Sequence, residues 1–224
     1  MSAFGRTYFI KIYNWFRPSR SADESKRLWA SLAAAGIGVS PRPMTHEETR
    51  EWGREQYDER VKNDPLVPRA GAALDLGCGV GRLTEFLLES FNPVYGTDIS
   101  GEFIEQAKQH VPGAIFFETD GQSIPLPDES INFVLSNAVF QHMPSRAVIE
   151  KNLKEIKRCL KRGGRAKMNF RGTPVMKSKW FYGLSFEEGE LKDLLETCGF
   201  KILALRTDKR EVGGKINYWA VIEK

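Results

Sequence analysis

Residues 74–82 read Leu-Asp-Leu-Gly-Cys-Gly-Val-Gly-Arg, and this stretch decides the fold class. The apolar run at 72–76 predicts a short buried strand that ends at the glycines, and apolar residues at helical spacing predict a helix over 80–89. Glycines in such a turn let the backbone approach a ligand closely. In open α/β sheets, ligands bind beyond the carboxyl ends of the strands. The stretch therefore predicts an α/β sheet with a ligand site at this turn.

The spacing of the three glycines narrows the kind of ligand. A dinucleotide-binding turn, G-x-G-x-x-G counted from Gly77 and Gly79, needs its third glycine at position 82, where the chain has Arg82. The third glycine, Gly81, comes one residue early. No Gly-Lys-Ser/Thr follows. The turn is therefore neither a dinucleotide fingerprint nor a P-loop.

Strands and helices alternate along the rest of the chain. Further strands are predicted at 94–98, 114–118, 131–136, 163–170, 200–206 and 216–222, and further helices at 101–110, 145–161 and 186–198. This alternation predicts a doubly wound, Rossmann-like, mostly parallel sheet covered by helices on both faces. No helix separates the last two strands, which should pair as an antiparallel hairpin through a turn at Gly213-Gly214.

The first 65 residues are predicted to form a helical N-terminal extension, followed by the α/β domain at 66–224. Ser21 can cap a helix that runs to Gly36, and a breaker-rich linker extends to Pro43. Thr45 and Glu48 have the spacing of a capping box, in which each side chain satisfies the other's free backbone N–H. They open a second helix that stops near residue 63.

The charge of the chain is concentrated at one end. Its 224 residues carry 33 Lys+Arg and 29 Asp+Glu, and the whole excess of +4 lies in residues 1–20, which hold no acid. The charge-balanced remainder argues against a general affinity for nucleic acid. With 41% hydrophobic and 28% charged residues, the composition excludes disordered and collagen-like classes. No apolar run approaches the roughly 18–20 residues of a membrane span.

The cysteine content bears on location and metal binding. Three cysteines, an odd number without CxxC spacing, argue against a disulfide framework and against a zinc site. No cluster of His, Cys and carboxylates has metal-ligand spacing, so no metal is predicted. The N-terminal residues lack the pattern of a secretory signal. These observations favour a reducing, cytoplasmic location.

The basic N-terminal arm, residues 1–20, also holds six aromatic residues. At helical spacing Phe4, Tyr8 and Trp15 fall on one side and Arg6 and Arg17 fall roughly opposite, which predicts an amphipathic helix. Such a helix could serve as a lid over a ligand site, as a membrane-surface helix or as a transit segment.

Two aspartates are placed to recognise the ligand. Asp75 lies two residues before the first glycine, near the strand end, where a carboxylate repels a pyrophosphate and attracts an ammonium group. Asp98 closes the second predicted strand, 19 residues after Gly79. A carboxylate there can accept hydrogen bonds from both ribose hydroxyls. The two acids predict a nucleoside with a cationic amino-acid tail.

Over roughly residues 50–224, the sequence resembles the class I S-adenosylmethionine-dependent methyltransferases of the small methyltransferase-domain type. Five stretches match the family's motifs in order, namely 75–81, 96–100, 120–121, 136–142 and 160–164. Asn132 departs from the aspartate that the family often has, at a strand position away from the cofactor. The resemblance implies a seven-stranded sheet with an antiparallel last strand. It also implies S-adenosyl-L-methionine as cofactor and S-adenosyl-L-homocysteine as product.

The resemblance assigns a role to each matching residue. Asp75 would hold the methionyl ammonium end, Asp98 the ribose and Asp120 the adenine amino group. The backbone of Asn137 would lie near the transferred methyl. The implied cofactor-binding residues are Asp75, Gly77, Cys78, Gly79, Gly81, Arg82, Asp98, Ile99, Asp120, Gly121 and Asn137.

Three residues of these motifs have two interpretations each. Cys78 is a reactive thiol or, as we favour, a small residue that fills a tight turn. Arg82 points at the cofactor carboxylate or is a solvated arginine of the first helical turn. His142, in the loop after the fourth strand, is the candidate catalytic residue because an imidazole can remove a proton at neutral pH. Alternatively, His142 only shapes the pocket.

The predicted function is transfer of a methyl group to an N or O nucleophile of a small-molecule acceptor. The alternatives are an RNA or protein methyltransferase, or a non-catalytic protein that binds the cofactor and docks a partner. The bases of 151–162 lie opposite the apolar face of their helix, so they are interpreted as solvent-facing rather than as a nucleic-acid stripe. The insert at 171–182, with Lys177, Lys179, Trp180, Phe181 and Tyr182, is favoured as acceptor-pocket lining. The arm is favoured as a lid, as in many N-terminal additions of the family.

Overall fold

The computed structural model describes residues 21–34, 44–173, 184–208 and 216–224. Its helices are α1 (Ala22–Ala34), α2 (His46–Tyr57), α3 (Thr84–Leu87), α4 (Gly101–His110), α5 (Arg146–Cys159) and α6 (Glu188–Thr197). A π-helical turn (Asp58–Lys62) continues α2, and a 3₁₀ turn (Phe140–His142) precedes α5. The strands are β1 (Ala73–Leu76), β2 (Val94–Asp98), β3 (Ile115–Glu118), β4 (Ile131–Ser136), β5 (Leu160–Arg171), β6 (Lys201–Asp208) and β7 (Asn217–Glu223).

The seven strands form one sheet in the order β3-β2-β1-β4-β5-β7-β6. Strands β1 to β5 are parallel, and β7 runs antiparallel to both β5 and β6. This confirms the predicted Rossmann-like sheet with an antiparallel final hairpin. The chain moves outward from β1 in one direction and then continues from β4 in the other, so the strand order reverses between β1 and β4. A ligand site is expected at that point.

Helices cover both faces of the sheet because successive strand residues point to opposite faces. On one face, Leu74 and Val134 lie in a buried cluster with side chains of α5 and α6. On the other face, Ala73 and Phe133 pack with the buried Tyr57 near the end of α2. Helix α2 is therefore part of the core of the sheet. The division of the chain at residue 65 stays a prediction.

The predicted helix starts are confirmed in atomic detail. The N–H of Thr45 donates to Glu48 Oε2 at 2.8 Å, and the N–H of Glu48 donates to Thr45 Oγ1 at 3.2 Å, which is the reciprocal capping box. Ser21 Oγ accepts a hydrogen bond from Glu24 N–H at 3.2 Å. Ser145 caps α5 in the same way by accepting from Val148 N–H.

The helix predicted over residues 80–89 is present but shorter, because α3 covers Thr84–Leu87. Within residues 80–89, only α3 is α-helical. The helix does not begin earlier because Gly79 and Gly81 have φ angles of +55° and +84°, in the left-handed region that an α-helix does not use. The apolar residues on which the prediction rested, Leu83, Phe86 and Leu87, are nevertheless buried. Phe86 and Leu87 lie in α3, and Leu83 directly precedes it, so their spacing reflects the short helix and its buried face.

Four predicted features lie outside the described residues: the arm at 1–20, the linker at 36–43, the turn at Gly213-Gly214 and the insert side chains Lys177, Lys179, Trp180, Phe181 and Tyr182. Among the described segments, no helix is long and apolar enough to cross a membrane. The three cysteines are buried free thiols.

Candidate active site

A cavity lies where the strand order reverses, at the carboxyl ends of β1, β2 and β4. Its walls include most of the residues that the sequence motifs indicated, namely Asp75, Gly77, Cys78, Gly79, Arg82, Asp98, Ile99, Gly121, Asn137 and His142. These residues are spread over more than sixty positions of the sequence, and the parallel strands bring them together. Two predicted residues, Gly81 and Asp120, do not line the cavity.

These two residues support the walls instead. A Cβ at Gly81 would lie 3.0 Å from Val111 Cγ2, so this glycine lets the loop pass close to the end of α4. Asp120 is exposed, and its Oδ1 accepts hydrogen bonds from the N–H groups of Gln122 and Ser123 at 2.9 and 2.8 Å. Asp120 thus stabilises a turn whose other residues, Gly121 and Ser123, line the cavity.

The glycine loop after β1 is hydrogen-bonded to the neighbouring strand β2. The N–H groups of Gly77 and Cys78 both donate to the Thr97 carbonyl of β2, at 2.7 and 2.9 Å. Gly77 has φ of +75°, and a Cβ there would lie 2.2 Å from Val139 Cγ2, so only glycine fits. Burial, with the charges of Asp98 and Asp75, raises the pKa of the Cys78 thiol well above its ordinary value. The thiol stays protonated, which supports the turn-filling interpretation of Cys78.

Asp98 presents a partly buried carboxylate at the end of β2. Its Oδ2 accepts from Gly79 N–H at 2.9 Å and its Oδ1 accepts from Ser100 N–H at 3.0 Å. Burial raises the pKa of Asp98, although these backbone hydrogen bonds oppose the shift. A carboxylate has about four acceptor positions. Asp98 therefore keeps acceptor capacity toward the cavity after holding the glycine loop.

Asp75 presents a second buried carboxylate, at the end of β1, with only 2% of the residue exposed. Thr84 Oγ1 donates to its Oδ2 at 2.7 Å. Burial raises the pKa of Asp75 to about 6; the charge of Asp98 adds to the rise, while the Thr84 hydrogen bond and the charge of Arg82 oppose it. A cation bound beside Asp75 would stabilise its charged form.

Helix α1, part of the N-terminal extension predicted as a lid, covers part of the cavity. Ser25 and Trp29 of α1 contribute to the wall. The Trp29 ring meets the His142 ring edge-on, with centroids 5.2 Å apart. Ala33 packs with Val80 of the glycine loop. The N-terminal extension therefore contributes to the site through α1.

Arg82 is anchored inside the protein rather than solvated. Its Nη1 donates to Gln56 Oε1 at 2.7 Å, and its guanidinium lies 4.1 Å from the centre of the Trp52 ring. Burial lowers the pKa of Arg82 to about 10, against the charge of Asp75 and helped by that of Arg60. The solvated interpretation is wrong because α2 packs over this part of the loop.

Gln56 and Arg60 were missed by sequence reasoning. Asn137 Oδ1 accepts from Arg60 Nη1 at 2.8 Å, and Asn137 Nδ2 donates to Gln56 Oε1 at 3.1 Å. Residues 56 and 60 are 81 and 77 positions away from Asn137 in sequence. Their i, i+4 spacing on one helix face was a usable signal, but it did not indicate what the face would meet.

Comparison with known proteins identifies the family. A family model described as "Methyltransferase domain" matches residues 74–168. A trans-aconitate 2-methyltransferase of Rhodopseudomonas palustris (strain HaA2) is 32% identical over 181 residues, covering 70% of this chain and 68% of that protein. The chain belongs to the class I S-adenosylmethionine-dependent methyltransferases.

Other curated relatives match a smaller part of this chain. A trans-aconitate 2-methyltransferase of Rhizobium rhizogenes is 37% identical over 125 residues, covering 50% of this chain and 47% of that protein. The chain thus spans about half the length of the first curated relatives it matches. These relatives bear on the acceptor, which is taken up below.

Solved structures resemble this chain in fold. A methyltransferase from Methanosarcina mazei has a TM-score of 0.61 at 22% identity, over 71% of this chain and 94% of that chain. The [4+2]-cyclase SpnF has a TM-score of 0.67 at 14% identity, over 93% and 97%. Because a cyclase shares the fold, the reaction has to be argued from residues.

The residues of this site fit the cofactor of the family. Asp98 offers free acceptor positions for ribose hydroxyls, and Asp75 offers a carboxylate whose charge a methionyl ammonium would stabilise. Gly77 lets the loop pass close to the Val139 side chain, and both residues line the cavity. We expect these residues to hold S-adenosylmethionine.

His142 is poorly suited to act as a base. Burial, with the positive charge of Arg171, lowers its pKa to about 3. An imidazole with so low a pKa is neutral at physiological pH but has little affinity for a proton. The pocket-shaping interpretation of His142 is therefore favoured over the catalytic one.

We expect His142→Ala to lower kcat by less than about tenfold, because a lost general base would cost about 10²–10⁴. The kcat of the wild type should not change through ionisation of His142 between pH 5 and 8. Steady-state assays across that range, with the exposed His110→Ala as a control, measure both quantities. A hundredfold loss in His142→Ala with unchanged cofactor affinity would restore the catalytic role.

Proposed function

We propose that this protein transfers the methyl group of S-adenosylmethionine to an N or O nucleophile of a small-molecule acceptor. The observation that carries the proposal is the pair of carboxylates, the buried Asp75 and the partly buried Asp98, at the ends of neighbouring strands and facing one cavity. The names of the relatives, trans-aconitate 2-methyltransferases, support a small acceptor. The charge-balanced body and the cysteine content support a cytoplasmic enzyme without affinity for nucleic acid.

Each residue of the site has a separate role in the proposed reaction. When bound, S-adenosylmethionine supplies a methyl group on a positively charged sulfur. Asp98 accepts hydrogen bonds from the ribose hydroxyls, and Asp75 holds the methionyl ammonium group. The glycine loop at Gly77 forms part of the cavity wall. Trp29 covers the cavity beside His142 and reduces the access of water. The protein's contribution is chiefly alignment and exclusion of water, which suits an in-line displacement.

The first measurement is binding of S-adenosylhomocysteine, followed by calorimetry and by thermal unfolding. Binding should release or absorb heat and should raise the melting temperature. At a ligand concentration one hundred times the Kd, the free energy of unfolding should increase by about 2.7 kcal/mol. A flat titration and an unchanged melting temperature at millimolar ligand would refute the proposal.

The second measurement separates the candidate functions. The protein is incubated with cell extract and cofactor labelled on the methyl group, and the extract is then divided into small molecules, RNA and protein. We expect the label among the small molecules. Label in RNA or protein would support the alternative methyltransferase classes, and cofactor binding with no transfer would support a docking protein.

A further inference from the structure

The base of a bound nucleoside is expected on the β3 side of the cavity. Its ribose binds Asp98 at the end of β2, and the two neighbours of that strand are β1 and β3. The proposed function places the ammonium group on the β1 side, at Asp75. The base therefore extends toward β3, where Thr119, Gly121 and Ser123 of the following turn line the cavity.

The polar side chains of this turn bond to the turn itself. Asp120 Oδ1 accepts hydrogen bonds from the N–H groups of Gln122 and Ser123 and, at 2.8 Å, from Ser123 Oγ. Thr119 Oγ1 accepts from Gly121 N–H at 3.3 Å. Asp120, to which the family resemblance assigns the adenine amino group, is exposed and does not line the cavity. The recognition of the base therefore calls for another acceptor.

A buried amide from a different element reaches this end of the cavity. Asn152 of α5 is only 3% exposed and lines the cavity. Its Nδ2 donates to the Gly121 carbonyl at 2.8 Å and to the Val148 carbonyl, one helical turn back, at 2.9 Å. Both partners are acceptors, so turning the amide over would place its oxygen against two carbonyl oxygens. The fold thus fixes the orientation of the Asn152 amide.

The oxygen of this amide is available to a ligand. Within 21–34, 44–173, 184–208 and 216–224, no group donates a hydrogen bond to Asn152 Oδ1. This oxygen is not among the buried polar atoms of those ranges that lack a partner, so it retains accessible surface. Because Asn152 lines the cavity, that surface faces the ligand space. An amide oxygen accepts from an N–H donor, and adenine carries such a donor in its 6-amino group.

We propose that Asn152 recognises the base of the cofactor, with its Oδ1 accepting a hydrogen bond from the 6-amino group of adenine in place of Asp120. This inference rests on the proposed function. The Asn152 amide then has two roles, because its Nδ2 holds Gly121 in the cavity wall while its Oδ1 meets the ligand. An amide held in one orientation presents only an acceptor. A base with a 6-oxo group would set two acceptors against each other and is rejected.

Helix α5 holds the same segment of chain at a second place, which provides a matched control. Glu155 Oε2 accepts from Ile124 N–H at 3.0 Å, and Arg158 Nη2 donates to the Ile124 carbonyl at 2.8 Å. Neither Glu155 nor Arg158 belongs to the described residues that line the cavity. Loosening this second attachment should disturb the turn without removing a contact to the base.

Calorimetry with two ligands tests the assignment. S-inosylhomocysteine differs from S-adenosylhomocysteine by a 6-oxo group in place of the amino group. The wild type should bind S-adenosylhomocysteine at least tenfold more tightly, because the other ligand leaves the Asn152 acceptor unpaired. Asn152→Leu has a similar shape without polar atoms, and its ratio of the two Kd values should fall below about threefold. If Asn152 only holds Gly121, the variant weakens both ligands equally and keeps the ratio, which would overturn the inference.

Two further variants separate this contact from its alternatives. Glu155→Ala should change the Kd of both ligands by the same factor and so keep the wild-type ratio. Asp120→Ala should keep the ratio as well, because Asp120 stabilises the turn and does not meet the base. If Asp120→Ala removes the preference and Asn152→Leu retains it, Asp120 recognises the base and the inference is wrong.

The wild type and Asp120→Ala decide the matter if Asn152→Leu does not fold. Equal binding of the two ligands by the wild type would overturn the role of Asn152 and leave the proposed function intact. Loss of the preference in Asp120→Ala would also overturn it, and retention would support it. Absence of S-adenosylhomocysteine binding by the wild type would instead refute the proposed function itself.

Discussion

Replacing Asp64 with alanine is expected to lower the free energy of unfolding by about 3–5 kcal/mol. Asp64 and Lys167 have only 2% and 5% of their side chains exposed, and their ion pair is 2.6 Å long. Burial tends to raise the pKa of Asp64, but hydrogen bonds from Lys167 and from Leu66 N–H and the charges of Lys167 and Arg206 lower it overall. Without this carboxylate, the Lys167 ammonium is left buried and uncompensated.

Denaturant unfolding of matched variants tests this expectation. Glu105→Ala removes an exposed carboxylate from its pair with Lys108 and should cost less than about 0.5 kcal/mol. A double variant, Asp64→Leu with Lys167→Met, should recover much of the loss because it removes both buried charges together. A loss below about 1 kcal/mol in Asp64→Ala would mean that water or another anion compensates Lys167.

Replacing Asp98 with alanine is expected to weaken binding of S-adenosylhomocysteine tenfold or more. The change removes the charged acceptor that faces the ribose, and each hydrogen bond to a charged group is worth about 1.5–3 kcal/mol. It also releases the N–H of Gly79, which Asp98 holds at 2.9 Å. Calorimetric titration of the variant gives the ratio of Kd values directly.

Two controls separate the ligand contact from the loop contact. Asp128→Ala removes an exposed aspartate that pairs with Arg158, so its Kd for S-adenosylhomocysteine should equal that of the wild type. Asp98→Asn keeps one acceptor oxygen for the loop but loses the charge, and it should still weaken binding. A Kd unchanged in Asp98→Ala would remove Asp98 from the cofactor site.

Local signals predicted the parts of the fold that depend on local physics. Thr45 and Glu48 interact across three residues, so their spacing alone predicted the helix start. The hairpin of β6 and β7 followed from the lack of a helix between them. The strand-end acids Asp75 and Asp98 could be placed in one cavity because the carboxyl ends of parallel strands share an edge.

The errors arose where distant contacts decide the structure. The helical spacing of Leu83 and Phe86 reflects packing on α2 and β1, while the glycine dihedral angles prevent the helix from starting at residue 80. Gly81 matches the family motif but serves the approach to Val111. No pattern within one segment could show that Arg60 would meet Asn137.

The π-helical turn at the end of α2 has a consequence for how relatives of this protein are compared. Asn63 N–H donates to the Asp58 carbonyl, five residues back, so the turn contains one residue more than an α-helical turn. Deleting one residue of this turn would leave a continuous helix and rotate the residues before the deletion by about 100° relative to those after it. In an alignment, a single-residue gap at 58–62 would thus mark a change in how this helix meets Asn137, even where every aligned side chain is identical.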